Sequence, residues 1–182
     1  GDFSNLEQAE NFVESLKKAA DPASPARLAF GPRTIGYSLL PNLSGNGWGE
    51  PDARAQAVRA LNRDENFRKA MTYALDRQRL GDSLVKGPFT TIYPGGIYAG
   101  TSFYDKDSTV YYPFSIDSAK EALAAAGLTD TDGNGFVNLA SGEDLNVTLL
   151  SQSDYATDKT LAEGVVAMMA DAGVKVTLSL LT

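Results

Sequence analysis

Leu6, Ala9, Val13, Leu16 and Ala20 recur at helical spacing with charged residues between them, which predicts an amphipathic helix over residues 4–20 ending at Asp21-Pro22. Pro22, Pro25, Pro32 and Pro41 then interrupt any regular helix, and the β-forming residues from Thr34 to Leu40 predict a strand. Asn42 to Pro51 is polar and glycine-rich around the single tryptophan, Trp48, and reads as a loop. A helical segment follows near Asp52 to Leu61. Asn62-Arg63-Asp64-Glu65 then resembles a capping box, with Asn62 as the capping side chain and Glu65 three residues on. Phe67, Ala70, Met71, Ala74 and Leu75 form one apolar face of the helix that begins there, a core-packing face.

From Gly87 to Pro113 neither helical nor strand periodicity persists, and prolines, glycines and five of the eight tyrosines crowd the segment, which predicts an extended loop region. Ser115 is a natural N-cap for a helix from Ile116 to Ala126, with Ala119, Ala122, Leu123 and Ala126 on one side and Gly127 as its stop. A polar turn at Asp130 to Gly135 precedes the alternating Leu145, Val147 and Leu149 of a strand. Thr157 can cap the next helix, whose inner face is Leu161, Val165, Met168, Met169 and Ala172 and whose end is Gly173. Val174, Val176, Leu178 and Leu180 alternate again. Strand 145–150, helix 158–172 and strand 174–181 therefore make a β-α-β unit with parallel strands, and the fold class is α/β.

At 182 residues, the chain suits a single domain, residues 1–182, with one core. Its 43% hydrophobic and 21% charged residues are ordinary for a folded protein. The formal net charge of −7 repels a phosphate backbone, so nucleic acid is excluded as a partner. The longest apolar stretch, Leu161 to Met169, is interrupted by Glu163 and Gly164, well short of the roughly 20 residues a membrane helix needs. The chain opens on Gly1-Asp2-Phe3 and ends on Leu180-Leu181-Thr182 inside an apparent strand, as expected of a piece of a longer protein.

Histidine and cysteine are both absent, so Ser-His-Asp and Cys-His nucleophile systems and His- or Cys-ligated zinc sites cannot be assembled from this chain. Acid-base work by paired carboxylates stays available, but the 23 acidic residues lie mainly in caps and on polar helix faces, and no pair stands out. No catalytic residue is assigned. Gly95 to Gly100 looks like a phosphate loop only superficially: Thr101-Ser102-Phe103 follow instead of a lysine and a hydroxyl residue, and a turn after Pro94 explains the glycines. Asp130, Asp132, Asn134 and Gly135 match the first half of a calcium loop, with Glu143 or Asp144 available to complete a site. The twelfth position is Ser141 where that loop needs a bidentate Glu, so a plain Asx/Gly turn is preferred and no metal or other cofactor is assigned.

Trp48, Tyr93, Tyr98, Phe103, Tyr104, Tyr111 and Tyr112 are aromatic residues in loop regions, suited either to a cleft wall that stacks on a ligand or to packing beneath long loops. Trp48 beside Asn42 and Asn46 is the strongest ligand-contact candidate, and Tyr98 joins them as the fourth ligand-binding residue assigned.

Asn62-Arg63-Asp64-Glu65-Asn66-Phe67-Arg68-Lys69-Ala70-Met71-Thr72-Tyr73-Ala74-Leu75-Asp76-Arg77 resembles the segment D-x-x-V-R-x-A-l-x-y-A-i-D-R of family 5 bacterial extracellular solute-binding proteins, the oligopeptide and dipeptide receptors of ABC importers. Tyr112 to Lys120 and Leu123 to Gly127 resemble that family's Y-d-p-x-k-A-k-x-L-L-x-x-A-G. The turn at 130–135, the strand at 145–150 and the helix ending at Gly173-Val174 follow in the family's order.

The resemblance runs from about Thr34 to the end and implies a periplasmic-binding-protein-like lobe of type II, cluster C: a mixed sheet flanked by helices, from the central part of the second of two hinged lobes. It further implies a periplasmic location, no enzymatic activity, a peptide or small-molecule ligand shared with a first lobe, and the membrane permease of an ABC importer as partner. Oligopeptides are the expected ligand. An oligosaccharide of α-galactoside type or an opine is the alternative, and a carboxylate-dependent hydrolase the more distant one. The acidic Asp-Tyr segment that receives a peptide's amino terminus in family members lies downstream of the region matched here.

Overall fold

The computed structural model describes residues 9–29, 37–45, 52–84 and 101–182. Their helices are α1 (Ala9–Ala20), α2 (Ala53–Leu61), α3 (Glu65–Tyr73), α4 (Arg77–Leu84), α5 (Ile116–Ala125) and α6 (Ala156–Asp171), and their strands are β1 (Asn146–Gln152) and β2 (Lys175–Leu181). The chain divides into two compact units, one from Gly1–Tyr37 and Arg77–Val110, the other from Ser38–Asp76 and Tyr111–Thr182.

The first unit holds α1 and α4. Helix α1 forms where its spacing predicts, but it turns a neighbouring face inward: Phe12 is 7% exposed, whereas Val13 and Leu16 are 46% and 42% exposed. Adjacent positions on a helix lie about 100° apart, so the apolar arc admits either orientation, and burying the larger ring of Phe12 removes more apolar surface from water. Helix α4 follows a break after Tyr73. The apolar face extrapolated to Leu75, yet α3 closes with Ala74 as its C-cap, whose N–H donates to the Ala70 carbonyl at 3.0 Å. Residues 101–110, part of the expected loop region, carry bends and turns without helix or strand.

The second unit holds α2, α3, α5 and the strand–helix–strand segment. Helices α3 and α5 pack through Phe67 and Leu123, both 1% exposed, and through Ala70, Ala74 and Ala119, all at 0%. Fully burying each of the two large side chains contributes roughly 1.5–3 kcal/mol, while the alanines let the helix axes approach closely. The Ser115 N–H donates to the Tyr73 carbonyl at 2.9 Å and fastens the start of one helix to the end of the other.

Strands β1 and β2 pair in parallel, with Val147 opposite Val176 and Leu149 opposite Leu178. Helix α6 covers the face these residues share, and its Ala162, Val165, Met168 and Met169 are buried. The predicted alternation holds at Val147, Leu149, Val176 and Leu178 but not at Leu180, which is 39% exposed, and on α6 the expected Val165, Met168, Met169 and Ala172 are buried while Leu161 is half-buried and Ala162 takes its place. Among the described residues the sheet has two strands, and antiparallel pairing appears as isolated bridges from Asn138 to Thr129 and to Asp144. Tyr37 to Leu40, inside the expected strand from Thr34, form no ladder; Pro41 follows directly and has no N–H to offer one.

The helix ends show which local signals carry. Asp52 caps α2 by accepting from the Ala55 N–H at 2.8 Å, and the Ser115 hydroxyl oxygen accepts from the Ser118 N–H at 3.1 Å. Helices α5 and α6 end alike. Leu128 N–H reaches the Leu123 carbonyl and Gly127 N–H reaches Ala124, while Val174 reaches Met169 and Gly173 reaches Ala170, at 2.8–3.0 Å. Both are Schellman closures with glycine in the left-handed region (φ 79° and 89°) and a buried aliphatic residue beyond it. Two expected caps move. Asp64, not Asn62, caps α3, because its carboxylate accepts from the Phe67 N–H at 2.9 Å while Asn62 ends α2. Thr157 lies inside α6, which starts earlier behind Tyr155, a position with no side-chain cap.

Candidate ligand-binding site

Of the four assigned ligand contacts, Asn42 lies within the described residues, whereas Trp48, Asn46 and Tyr98 lie outside them. Residues 38–45 form a strap without regular structure that leads toward the Trp48 segment, with Leu40 and Leu43 on the outside at 89% and 52% exposed. Burial of apolar side chains therefore does little to hold it. Hydrogen bonds from the turn between α2 and α3 do the holding. Asn62 donates its Nδ2 to the Asn42 carbonyl at 3.2 Å, and Arg63 donates Nη1 to the Ser44 carbonyl at 3.0 Å. Arg68 donates to the Asn62 carbonyl at 2.9 Å and stiffens the turn itself. A Cβ added at Gly45 would lie 3.4 Å from Arg63 Nη1, an ordinary van der Waals contact.

Within the strap, the half-buried Asn42 closes an Asx turn: its Oδ1 accepts the Ser44 N–H at 3.0 Å. Asn62 and Arg63 were legible only as helix-boundary residues. Their role as donors to the strap depends on a contact some 20 residues back in the chain, which no local spacing announces.

The loop aromatics divide. Tyr112 meets Tyr73 edge-on, with centroids 5.4 Å apart and planes at 84°, a packing arrangement. Phe103 and Tyr111 are 73% and 49% exposed.

The turn at residues 130–135 satisfies its own acids. Asp130 accepts from the backbone N–H groups of Gly133 at 2.7 Å and Gly135 at 2.8 Å, and Asp132 accepts from the Asn134 N–H at 3.2 Å. The Gly135 N–H is the main reason the Asp130 carboxyl lies below its ordinary range; desolvation opposes it, and the Gly133 N–H adds to the lowering. The two candidates for completing a calcium site differ: Asp144 faces the turn and Glu143 pairs outside it. Asp144 accepts from Asn134 Nδ2 at 2.9 Å and faces Lys175 at 3.6 Å, and Glu143 pairs with Arg54 at 3.5 Å. The residues thus form an Asx/Gly turn tied to its neighbours.

The buried Asn138, 3% exposed, is the hub that residue spacing missed. Its Oδ1 accepts from the Thr131 N–H at 2.7 Å and hydroxyl at 2.8 Å, and its Nδ2 donates to the Gly142 carbonyl and to Asp144, both at 3.3 Å.

Among the described residues, the carboxyls displaced from their ordinary range, those of Glu14, Glu65, Asp105 and Asp130, all move downward.

Residues 4–182 match the family described as bacterial extracellular solute-binding proteins, family 5 Middle. The chain belongs to this family. Over its whole length it is 60% identical to the periplasmic alpha-galactoside-binding protein of Rhizobium meliloti (strain 1021), of which it covers 27%. It also superimposes along its whole length on MelB of Agrobacterium fabrum C58, a periplasmic binding protein solved in complex with stachyose, at 64% identity and a TM-score of 0.88, covering 28% of that protein. The oligopeptide-binding protein AppA of Bacillus subtilis, solved with a nonapeptide, shares the fold at 24% identity and a TM-score of 0.60 over 67% of this chain and 24% of its own.

The chain thus spans about a quarter of the length of the relatives it matches. Family 5 membership agrees with the α/β, periplasmic-binding-protein-like architecture and the extracytoplasmic location expected from the motifs, and no helix among the described residues is long and apolar enough to cross a membrane. The relatives described at 60% and 64% identity are named for an α-galactoside or were solved with stachyose, whereas the peptide receptor matches at a level that carries the fold alone.

Proposed function

We propose that this chain is part of the second lobe of a two-lobed solute receptor that binds an α-galactoside oligosaccharide and delivers it to the membrane permease of an ABC importer. The observation that carries the reading is the 64% identity and TM-score of 0.88 to the stachyose-bound protein across all 182 residues. Peptide binding has no comparable support.

In this reading Trp48 stacks on a pyranose face, Asn42 and Asn46 hydrogen-bond sugar hydroxyls, and Tyr98 adds wall area, while the other lobe closes the cavity by a hinge motion. The receptor binds and releases without chemistry, as fits a chain lacking histidine and cysteine. Isothermal titration of the full-length protein tests this. Stachyose is expected to give a saturable heat and a mixed pentapeptide library none. Heat with the peptides and none with stachyose would overturn the sugar reading. Trp48→Ala is expected to weaken stachyose binding at least tenfold, the loss of about 1.4 kcal/mol or more of stacking and buried area.

A further inference from the structure

We infer that Asn42 recognises the ligand specifically as a hydrogen-bond donor, and that Asn62 and Arg63 are positioning residues that aim it; this inference rests on the α-galactoside reading above. A carboxamide has an accepting and a donating end, and which one faces outward is ordinarily ambiguous. Here the ambiguity is removed by chemistry, because the Ser44 backbone N–H that faces the side chain at 3.0 Å can only donate, so the atom it meets is Oδ1. The Nδ2 end is then turned away from the strap. Among the described residues it donates to no protein group, although Asn42 is half-buried.

Two further hydrogen bonds hold that orientation. The carbonyls of Asn42 and Ser44, one at each end of the Asx turn, are taken by Asn62 at 3.2 Å and Arg63 at 3.0 Å, so the turn is fastened to the α2–α3 corner on both sides. The outward amide matches an acceptor on the sugar, a hydroxyl or ring oxygen. Fixing its direction before binding removes ordering cost from the complex.

Asn42→Asp separates the two ends of the side chain. An aspartate keeps an oxygen for the Ser44 N–H and so keeps the turn, but it replaces the outward donor with an acceptor. In titrations of the full-length protein with stachyose, Asn42→Asp is expected to raise Kd on the order of tenfold with Tm unchanged. Arg63→Ala is expected to raise Kd roughly threefold, and Arg63→Lys, which returns a donor toward the Ser44 carbonyl, to recover part of that. If Asn42→Asp lowers Tm, Asn42→Ser gives the same comparison, because its hydroxyl oxygen can still accept from the turn N–H but is too short to reach a ligand. Wild-type binding with an unchanged Kd in Asn42→Asp, or in Asn42→Ser where that variant is used, would overturn the inference and leave the sugar reading intact. Wild-type protein that binds no stachyose would overturn both.

Discussion

The α3–α5 pair and the strap at residues 38–45 belong to one compact unit but are held by opposite means. The helices bury Phe67, Leu123 and three alanines almost completely, and hydrogen bonds at their ends only trim the packing. The strap leaves Leu40 and Leu43 in solvent and depends on side-chain donors to two of its carbonyls. Burial is additive over area and insensitive to direction, whereas a hydrogen bond contributes only about 1 kcal/mol net but specifies an orientation. The helix pair therefore supplies stability, whereas the strap's hydrogen bonds set the direction of its backbone.

The sharpest way to break this contrast is Phe67→Ala. It is expected to cost about 3–5 kcal/mol of unfolding free energy, read from the urea midpoint, because the neighbouring alanines cannot collapse into the space left by the ring. A loss below about 1 kcal/mol would mean that packing does not hold the pair. Next comes Asn138→Ala, which strands the Thr131 N–H and the Gly142 carbonyl around a buried site and is expected to cost roughly 1–3 kcal/mol in the same assay. Asp64→Ala leaves the Phe67 N–H without its cap and is expected to cost about 1 kcal/mol.

Arg63→Ala sits at the other pole. Its exposed side chain buries little, so stability is expected to change by no more than about 0.5 kcal/mol while stachyose affinity falls. A large stability loss in that variant would erase the distinction between the two regions.

The smallest effect is the pH dependence from Asp130, whose folded-state carboxyl lies below its ordinary value of 3.8. A carboxyl lowered in this way stabilises the fold fully above its unfolded value and loses that contribution as pH falls through the folded one. Tm is expected to decline as pH drops below about 4, and Asp130→Asn to decline less steeply over that window. Parallel profiles would show that the turn does not contribute.

Elements governed by their own neighbourhood were legible in the residues. Helical and alternating spacings located α5, α6, β1 and β2, the Ser115 cap formed as read, and Gly127 and Gly173 marked two helix ends that close alike. The ordered motifs from Asn62 to Val174 also carry the family's pattern. Capping was less secure, because Asn62 and Asp64 are both good caps within one turn of each other, and which one serves depends on where α2 ends.

What sequence alone determined was the set of elements, the α/β class and the absence of histidine- and cysteine-based chemistry, since these follow from side-chain periodicity and composition. Tertiary structure decided which arc of α1 turns inward, how the acids of the 130–135 turn are satisfied, and which end of the Asn42 carboxamide faces out. Those outcomes depend on partners distant along the chain, such as Asn62 for the Asn42 carbonyl and Lys175 for Asp144, and spacing within a segment carries no information about a contact made outside it.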